Sequence, residues 1–423
     1  MRQKIFRFFA DLRFSIVTLL LISGCSVIGT VIEQDQPIEI YKKNYPLTNP
    51  IFGVLSWDKI LYFGFDHVYK TWWFLLLILL FGCSLVLCSF LQQLPSLKIA
   101  RRCQFFRTNQ AFYKLNNYTI LTKSSFSKIL ATIQIENYSI FQQKNIIYSY
   151  KGLIGRIAPI IVHFSIILVL IGTIVSSLFG FKAQEIVPKA ESFHIQNILS
   201  NGTLTIIPQN SGRVNDFWIT YTKNKTISQF YSDISILNPD GSEIQRKTIS
   251  VNYPFVRKGI YYYQTDWNLI GLRFKTNHNQ IVEYPLINIF PDQEKIWLTW
   301  ISNNQFVQNG IIILIDNLEG YCSIYTEAGQ FLGNLEIHET LSLNQNVTLL
   351  EVLSSTGLQI KMDPGIPLIY LGFFFLMLST LMSYITYSQV WVFQKNQQLF
   401  VGGNTNRALF DFELEFLKII KNY

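Results

Sequence analysis

Four stretches of this chain, 14–32, 72–91, 157–181 and 366–387, contain no charged side chain and are dominated by apolar residues. Each is about the 20 residues that a helix needs to cross a bilayer core. Hydrocarbon offers the backbone no outside hydrogen-bond partner, so such segments must form helices. Hydrophobic residues are 49% of the chain and charged ones 15%, a balance foreign to an ordinary soluble protein. The sequence predicts a multi-pass α-helical membrane protein with four transmembrane helices. The first span is expected to stay as an anchor. "SGCSVIGTVIEQ" is a poor cleavage site, and no Arg- and Ser-rich leader precedes it.

Charge predicts how the chain crosses. The segment before span one has four basic residues and one acid, and the one between spans one and two has four and five. Residues 92–156 carry ten Lys or Arg against Glu136 alone. Residues 180–363 carry 13 basic and 17 acidic groups, and the tail after span four carries four and three. Positive charge marks the cytoplasmic side. The N-terminus, the 92–156 segment and the tail are therefore expected on the cytoplasmic or stromal side, with the large domain on the opposite, trans side. The formal net charge of +8 comes mostly from the 92–156 segment. Its basic residues sit beside membrane entry points, which points to topology and contact with the lipid bilayer, with no nucleic acid partner.

The regions between spans have distinct character. Residues 1–91 hold a short N-terminal tip, spans one and two and a brief trans-side loop that ends in Trp72 and Trp73 at the interface. Residues 92–156 read as a small α+β module, with a helix over 124–134 and two short strands over 138–152. Residues 182–364 alternate apolar and polar positions in runs such as "TLTIIP", "DFWITYT" and "QFYSDISIL", with a turn at "NPDGS". They predict a large all-β trans-side domain. Spans three and four occupy 157–181 and 365–387. The tail, 388–423, reads as a strand-turn-strand around "VGGNTNRA" followed by an amphipathic helix. The five cysteines are scattered with no C-x-x-C, which argues against a thiol–disulfide enzyme. No phosphate-binding loop, nucleophile elbow or zinc-protease motif occurs.

One residue disturbs the apolar spans. His163 lies six residues into span three, ~9 Å from its cytoplasmic end at 1.5 Å per residue. A polar ring in hydrocarbon must find a partner. From the residues alone, that partner is either a group on a neighbouring helix or a ligand, with the imidazole serving as metal ligand or proton relay. His67, His278 and His338 read as surface or structural. Asp266 and Trp267, in "YYQTDW", read equally well as a turn or as a contact surface.

The strings GRIAPIIVHFSIILVLIGT (155–173), RVNDFWITYT (213–222), QFYSDISIL (229–237), RKTISVNYPF (246–255), YYQTDW (262–267) and DPGIPLIYLGFFFLMLSTLMSYITYSQVW (363–391) follow one another along the chain. With the span order, they resemble the ResB/CcsB family of System II cytochrome c biogenesis in its plastid and cyanobacterial form. The resemblance covers essentially the whole chain. It implies a component of the complex that moves haem across the membrane for attachment to apocytochromes c. On this reading the chain is a non-catalytic subunit of a cytochrome c haem-lyase (synthase) complex, carrying haem b in transit. Its partner would be a CcsA/ResC-type membrane protein with a tryptophan-rich segment; the eight Trp of this chain are dispersed. The implied location is the plastid (chloroplast) thylakoid membrane with the large domain in the lumen, or else a cyanobacterial thylakoid or bacterial inner membrane. The family places an axial haem ligand at the position of His163. Arg156, seven residues earlier and so within ~20° on the helix, would then reach a haem propionate. His194, beyond span three on the trans side, is the remaining candidate for haem contact. The competing reading is a membrane-anchored protein-binding scaffold without a haem site.

Overall fold

The computed structural model describes all residues except 1, 49, 51–54, 123–124, 210, 224–225, 277–278, 290–294, 303–309, 342–346, 396–397 and 422–423. The chain forms two compact units. Residues 1–34, 41–176 and 365–423 make the first, and 35–40 with 177–364 make the second.

The first unit holds four helices long and apolar enough to cross a membrane, at Leu12–Val31, Trp72–Ala100, Ile154–Phe179 and Ile366–Ser383. Asp11 caps the first, its carboxylate accepting the Arg13 N–H at 3.1 Å. Span two differs most from its expected bounds. It continues past 91 to Ala100 through a π-helical turn, Ser89–Gln93, in which the Leu94 N–H donates to the Ser89 carbonyl. Pro95 explains the widening: it has no N–H, and its ring would press on the Leu91 carbonyl in a regular α-helix. At the other end of the chain, span four stops at Ser383, because Tyr387 already donates its N–H to the Asn406 side chain at 2.9 Å.

Spans three and four meet through small residues. Ala158, Ser165 and Gly172 recur every seventh position on one helix, and Gly365, Gly372 and Ser379 do so on the other; all are buried. A Cβ on Gly365 would lie 2.1 Å from the Gly172 carbonyl oxygen, and one on Gly372 3.0 Å from that of Ser165. At the far end, a Cβ on Gly155 would lie 1.9 Å from the Ile385 carbonyl oxygen. Apolar lipid gives two greasy helices no reason to associate, so close backbone approach at small residues supplies the contact. The opposite face of span three, about 200° round, carries Arg156, His163 and Leu170 toward span two.

The 92–156 segment does not close a module of its own. Its strands Asn117–Thr122, Ser139–Gln143 and Ile146–Lys151 share one antiparallel sheet with the tail strands Ser388–Lys395 and Gln398–Thr405. The tail hairpin fills the middle: Ser388–Lys395 pairs with Ile146–Lys151, and Gln398–Thr405 with Asn117–Thr122. Helices Phe126–Ile135 and Leu409–Lys421 cover one face, with Ile129, Ile133, Phe412 and Phe416 over Ile147, Val390 and Val401. The other face is aromatic, and Phe106 stacks on Trp391 at 4.6 Å. The tail reversal falls between Lys395 and Gln398, not at "VGGNTNRA". Gly402 and Gly403 are strand residues; a Cβ would lie 2.5 Å from Leu115 on the first and 2.5 Å from the Phe412 ring on the second.

The second unit is built of strands, as expected of 182–364. One sheet is organised on two long antiparallel strands, Ile260–Thr276 and Val347–Met362. A four-stranded sheet contains Ser211–Tyr221, Ile227–Leu237 and Glu243–Ser250, and a five-stranded one contains Trp297–Ser302 and Gly310–Ile315. The "NPDGS" turn lies where expected, with Ser242 N–H donating to the Asp240 carboxylate and Gly241 at φ 82°. "TLTIIP" is not a strand. Thr205 instead turns back to donate its hydroxyl to the Gly180 carbonyl at 3.0 Å, and Leu204 and Ile206 stay exposed. "YYQTDW" is strand, not turn. It lies inside Ile260–Thr276, which bulges between Gln264 and Asp266.

Candidate functional site

His163 is held by span two, on the π-helical turn at the end of the apolar run. Its Nδ1 is 3.0 Å from the Ser89 hydroxyl oxygen and its Nε2 is 3.0 Å from the Gln93 amide nitrogen. The Ser89 hydroxyl donates its own hydrogen to the Leu85 carbonyl at 2.8 Å. Toward the ring, Ser89 can therefore only accept, so the imidazole proton sits on Nδ1. The Nε2 lone pair is left to accept from the Gln93 N–H. A single tautomer follows, with the metal-binding electron pair at Nε2 and the other nitrogen anchored, which is the usual support of a ligating histidine.

Arg156 enters the same helix pair one and a half to two turns nearer the basic side. Its Nη1 donates to the Ser96 hydroxyl at 3.4 Å, and its guanidinium carbon lies 5.3 Å from the centre of the Tyr387 ring. Two buried atoms here have no hydrogen-bond partner, Arg156 Nε and Gln93 Oε1. An orphaned guanidinium N–H and a fixed imidazole lone pair are complementary to a metal complex bearing carboxylates. The fit has one obstacle, since the Gln93 amide occupies the coordinating position. Among the described residues no group of three or more His, Cys, Asp or Glu could hold a metal ion. Among the described residues, His163 is the histidine whose ring nitrogens face Ser89 and Gln93 of span two.

Ser89, Gln93 and Ser96 escape a reading based on apolar runs, because they lie at and beyond its end. Their spacing was the available signal: positions i, i+4 and i+7 of a helix share one face.

The other histidines stand apart from this pair. His194 is exposed in the second unit, just after the strand Ser192–Phe193. His67 Nδ1 lies 2.9 Å from Asp66 Oδ1. His338 is exposed at φ 69°, and His278 lies outside the described residues. Asp266 and Trp267 border a pocket of about 330 Å³ with Phe230, Gln264 and Lys295. There the Lys295 ammonium donates to Asp266 Oδ1 at 2.6 Å and to the Trp267 carbonyl at 2.7 Å. In the second unit Cys322 is buried, and burial pushes its thiol up to about 12, so it is not a reactive thiolate.

Comparison with known proteins identifies the family. The model of the ResB-like family matches residues 12–294 and 322–417. A cytochrome c biogenesis protein Ccs1 of Phaeodactylum tricornutum is 72% identical over 421 residues, covering the whole of both chains. The Ccs1 proteins of Thalassiosira pseudonana and Pyropia yezoensis are 67% and 45% identical; the first match covers all of both chains, the second 99% of this chain and 96% of the relative. With one family spanning both compact units and relatives matched from end to end, the chain belongs to the ResB-like family.

Proposed function

We propose that this chain acts in cytochrome c biogenesis by receiving haem b at His163 on its way across the membrane to apocytochromes c. The relatives carry the biogenesis part of the reading. The observation that carries the haem part is the Nε2 lone pair, fixed by the Ser89 contact at Nδ1 within a helix long and apolar enough to cross a membrane. Haem is the cargo here, and the chain's part is to bind and orient it. Ser89 keeps the proton on Nδ1, His163 Nε2 meets the iron, and the free Arg156 Nε–H meets a propionate. A single imidazole leaves the second axial position to another molecule, for which a CcsA/ResC-type membrane partner is the natural source. The chain is then a non-catalytic subunit of a haem-lyase complex. His194, exposed in the second unit, has no observation in its favour beyond its trans-side position.

A second reading has its own support. Both ring nitrogens of His163 are already bonded within the protein, as a scaffold with a purely structural histidine would require. Purification with the partner separates the two. The haem reading expects a Soret band in the detergent-solubilised complex and loss of holocytochrome c, with apocytochrome retained, when the gene is disrupted. A complex free of haem under conditions that support cytochrome c assembly would overturn it.

The proposed setting is the thylakoid membrane of a plastid, with 182–364 in the lumen. Strands of the 92–156 segment and of the tail pair directly, so both must lie on one side of the bilayer. The ten basic residues of that segment support the stroma as this side. Protease added from the lumenal side should digest 182–364 and spare 92–156. The opposite pattern would reverse the orientation.

A further inference from the structure

We infer that Gln93 is a displaceable cap on His163, exchanged for iron when haem arrives and returned when it leaves. This rests on the haem-ligand reading above and adds a residue to it. The observations are local. The Gln93 amide nitrogen lies 3.0 Å from Nε2, the one ring atom with a lone pair to give. Its own Oε1 is buried without a partner, so the side chain holds this position with its acceptor capacity unused. It closes the π-helical turn Ser89–Gln93, and Pro95 two residues on cannot donate to the Leu91 carbonyl. The backbone beside the cap thus lacks one regular helical hydrogen bond.

The exchange balances without moving a proton. The hydrogen bond from the Gln93 N–H to Nε2 breaks and the bond from Nε2 to iron forms. The imidazole proton stays on Nδ1 against Ser89, whose acceptor role is set by its bond to the Leu85 carbonyl. Swinging away also gives Oε1 the chance of a donor that it lacks in the capped position. A cap of this kind has two effects. It covers the lone pair until a ligand with a stronger claim arrives, and it competes with iron for Nε2, which speeds release to the next acceptor.

The test uses the full chain expressed with its membrane partner, purified in mild detergent and loaded with haem b. Soret absorbance gives occupancy, and transfer to excess apomyoglobin gives the release rate. Gln93→Leu removes the competing N–H, and Gln93→Asn retracts it. Both should keep haem and release it about fivefold more slowly, the weight of one ordinary hydrogen bond. Gln93→Glu places a carboxylate against the ring, favours a proton on Nε2 and should lower occupancy about tenfold, the weight of a charged hydrogen bond. A merely structural Gln93 would make all three variants lose haem, or leave all three like the parent; either outcome overturns the cap. His163→Gly keeps the two ideas apart. If that variant retains its Soret band, the ligand reading itself fails. If it loses the band while the Gln93 variants match the parent, only the cap fails. Should Gln93→Leu not accumulate, the opposite responses of Gln93→Asn and Gln93→Glu decide the matter.

Discussion

Replacing His163 by glycine is expected to strip the purified complex of its Soret band and to stop holocytochrome c assembly. Losing a residue that only orients a metal-bound histidine costs about 10–100-fold in affinity, so losing the imidazole itself should exceed that range. Imidazole added to the medium should enter the vacated space and restore part of both signals. His163→Gln supplies the control. Its amide can still bond to Ser89 and Gln93 across the helix pair, yet it presents no imidazole to iron. Under the ligand reading it loses haem while the protein accumulates normally. Normal cytochrome c assembly in His163→Gln would establish the structural role and remove the ligand. Some instability of His163→Gly itself is expected, since glycine costs about 1 kcal/mol in a helix interior.

The second large effect is mechanical. Gly155→Ala should destabilise the first unit by about 1–3 kcal/mol or more, the usual range for overpacking. The added Cβ would lie 1.9 Å from the Ile385 carbonyl oxygen, which is backbone and cannot rotate aside. Separation of spans three and four at this end would also disturb Arg156, the next residue. Thermal unfolding in detergent measures the effect. Gly24→Ala is the matched control: a Cβ there meets nothing within 4 Å, and alanine favours a helix. Equal melting temperatures for the two variants would show that the close approach carries no weight.

The spans were legible because a bilayer allows no alternative. Long uncharged apolar runs must be helices, and their ends could be placed within a few residues except in span two. That exception hid the site. Gln92, Gln93, Pro95 and Ser96 look like a loop when polarity alone is read; the partners of Gln92, Gln93 and Ser96, which are the Ala10 carbonyl, His163 and Arg156, lie on other helices or beside them. His163 was conspicuous for the converse reason, as a polar group with no partner in its own segment. The partnership between 117–151 and the tail was not legible at all. Strand pairing leaves its trace in alternation, which names the strands but not their neighbours. Gly402 and Gly403 misled for a related reason. Glycine marks turns through its conformational freedom, but here it makes room for Leu115 and Phe412. "TLTIIP" alternates as a strand should, and yet the Thr205 hydroxyl claims the Gly180 carbonyl.

The shared sheet also sets an order of events during synthesis. Ile146–Lys151 leaves the ribosome before span three, but its neighbour Ser388–Lys395 follows only after span four. More than half the chain is made between them, which at about 5–20 residues per second is a wait of many seconds. Throughout that interval the early strands have open edges, liable to pair with the wrong chain. The sheet closes only when both intervening spans and the strand that ends at Thr405 have been made. A chain cut short anywhere in 182–364 would leave those edges permanently bare, open to proteases and chaperones. Completion of this one sheet therefore reports that the chain has been made at least as far as Thr405.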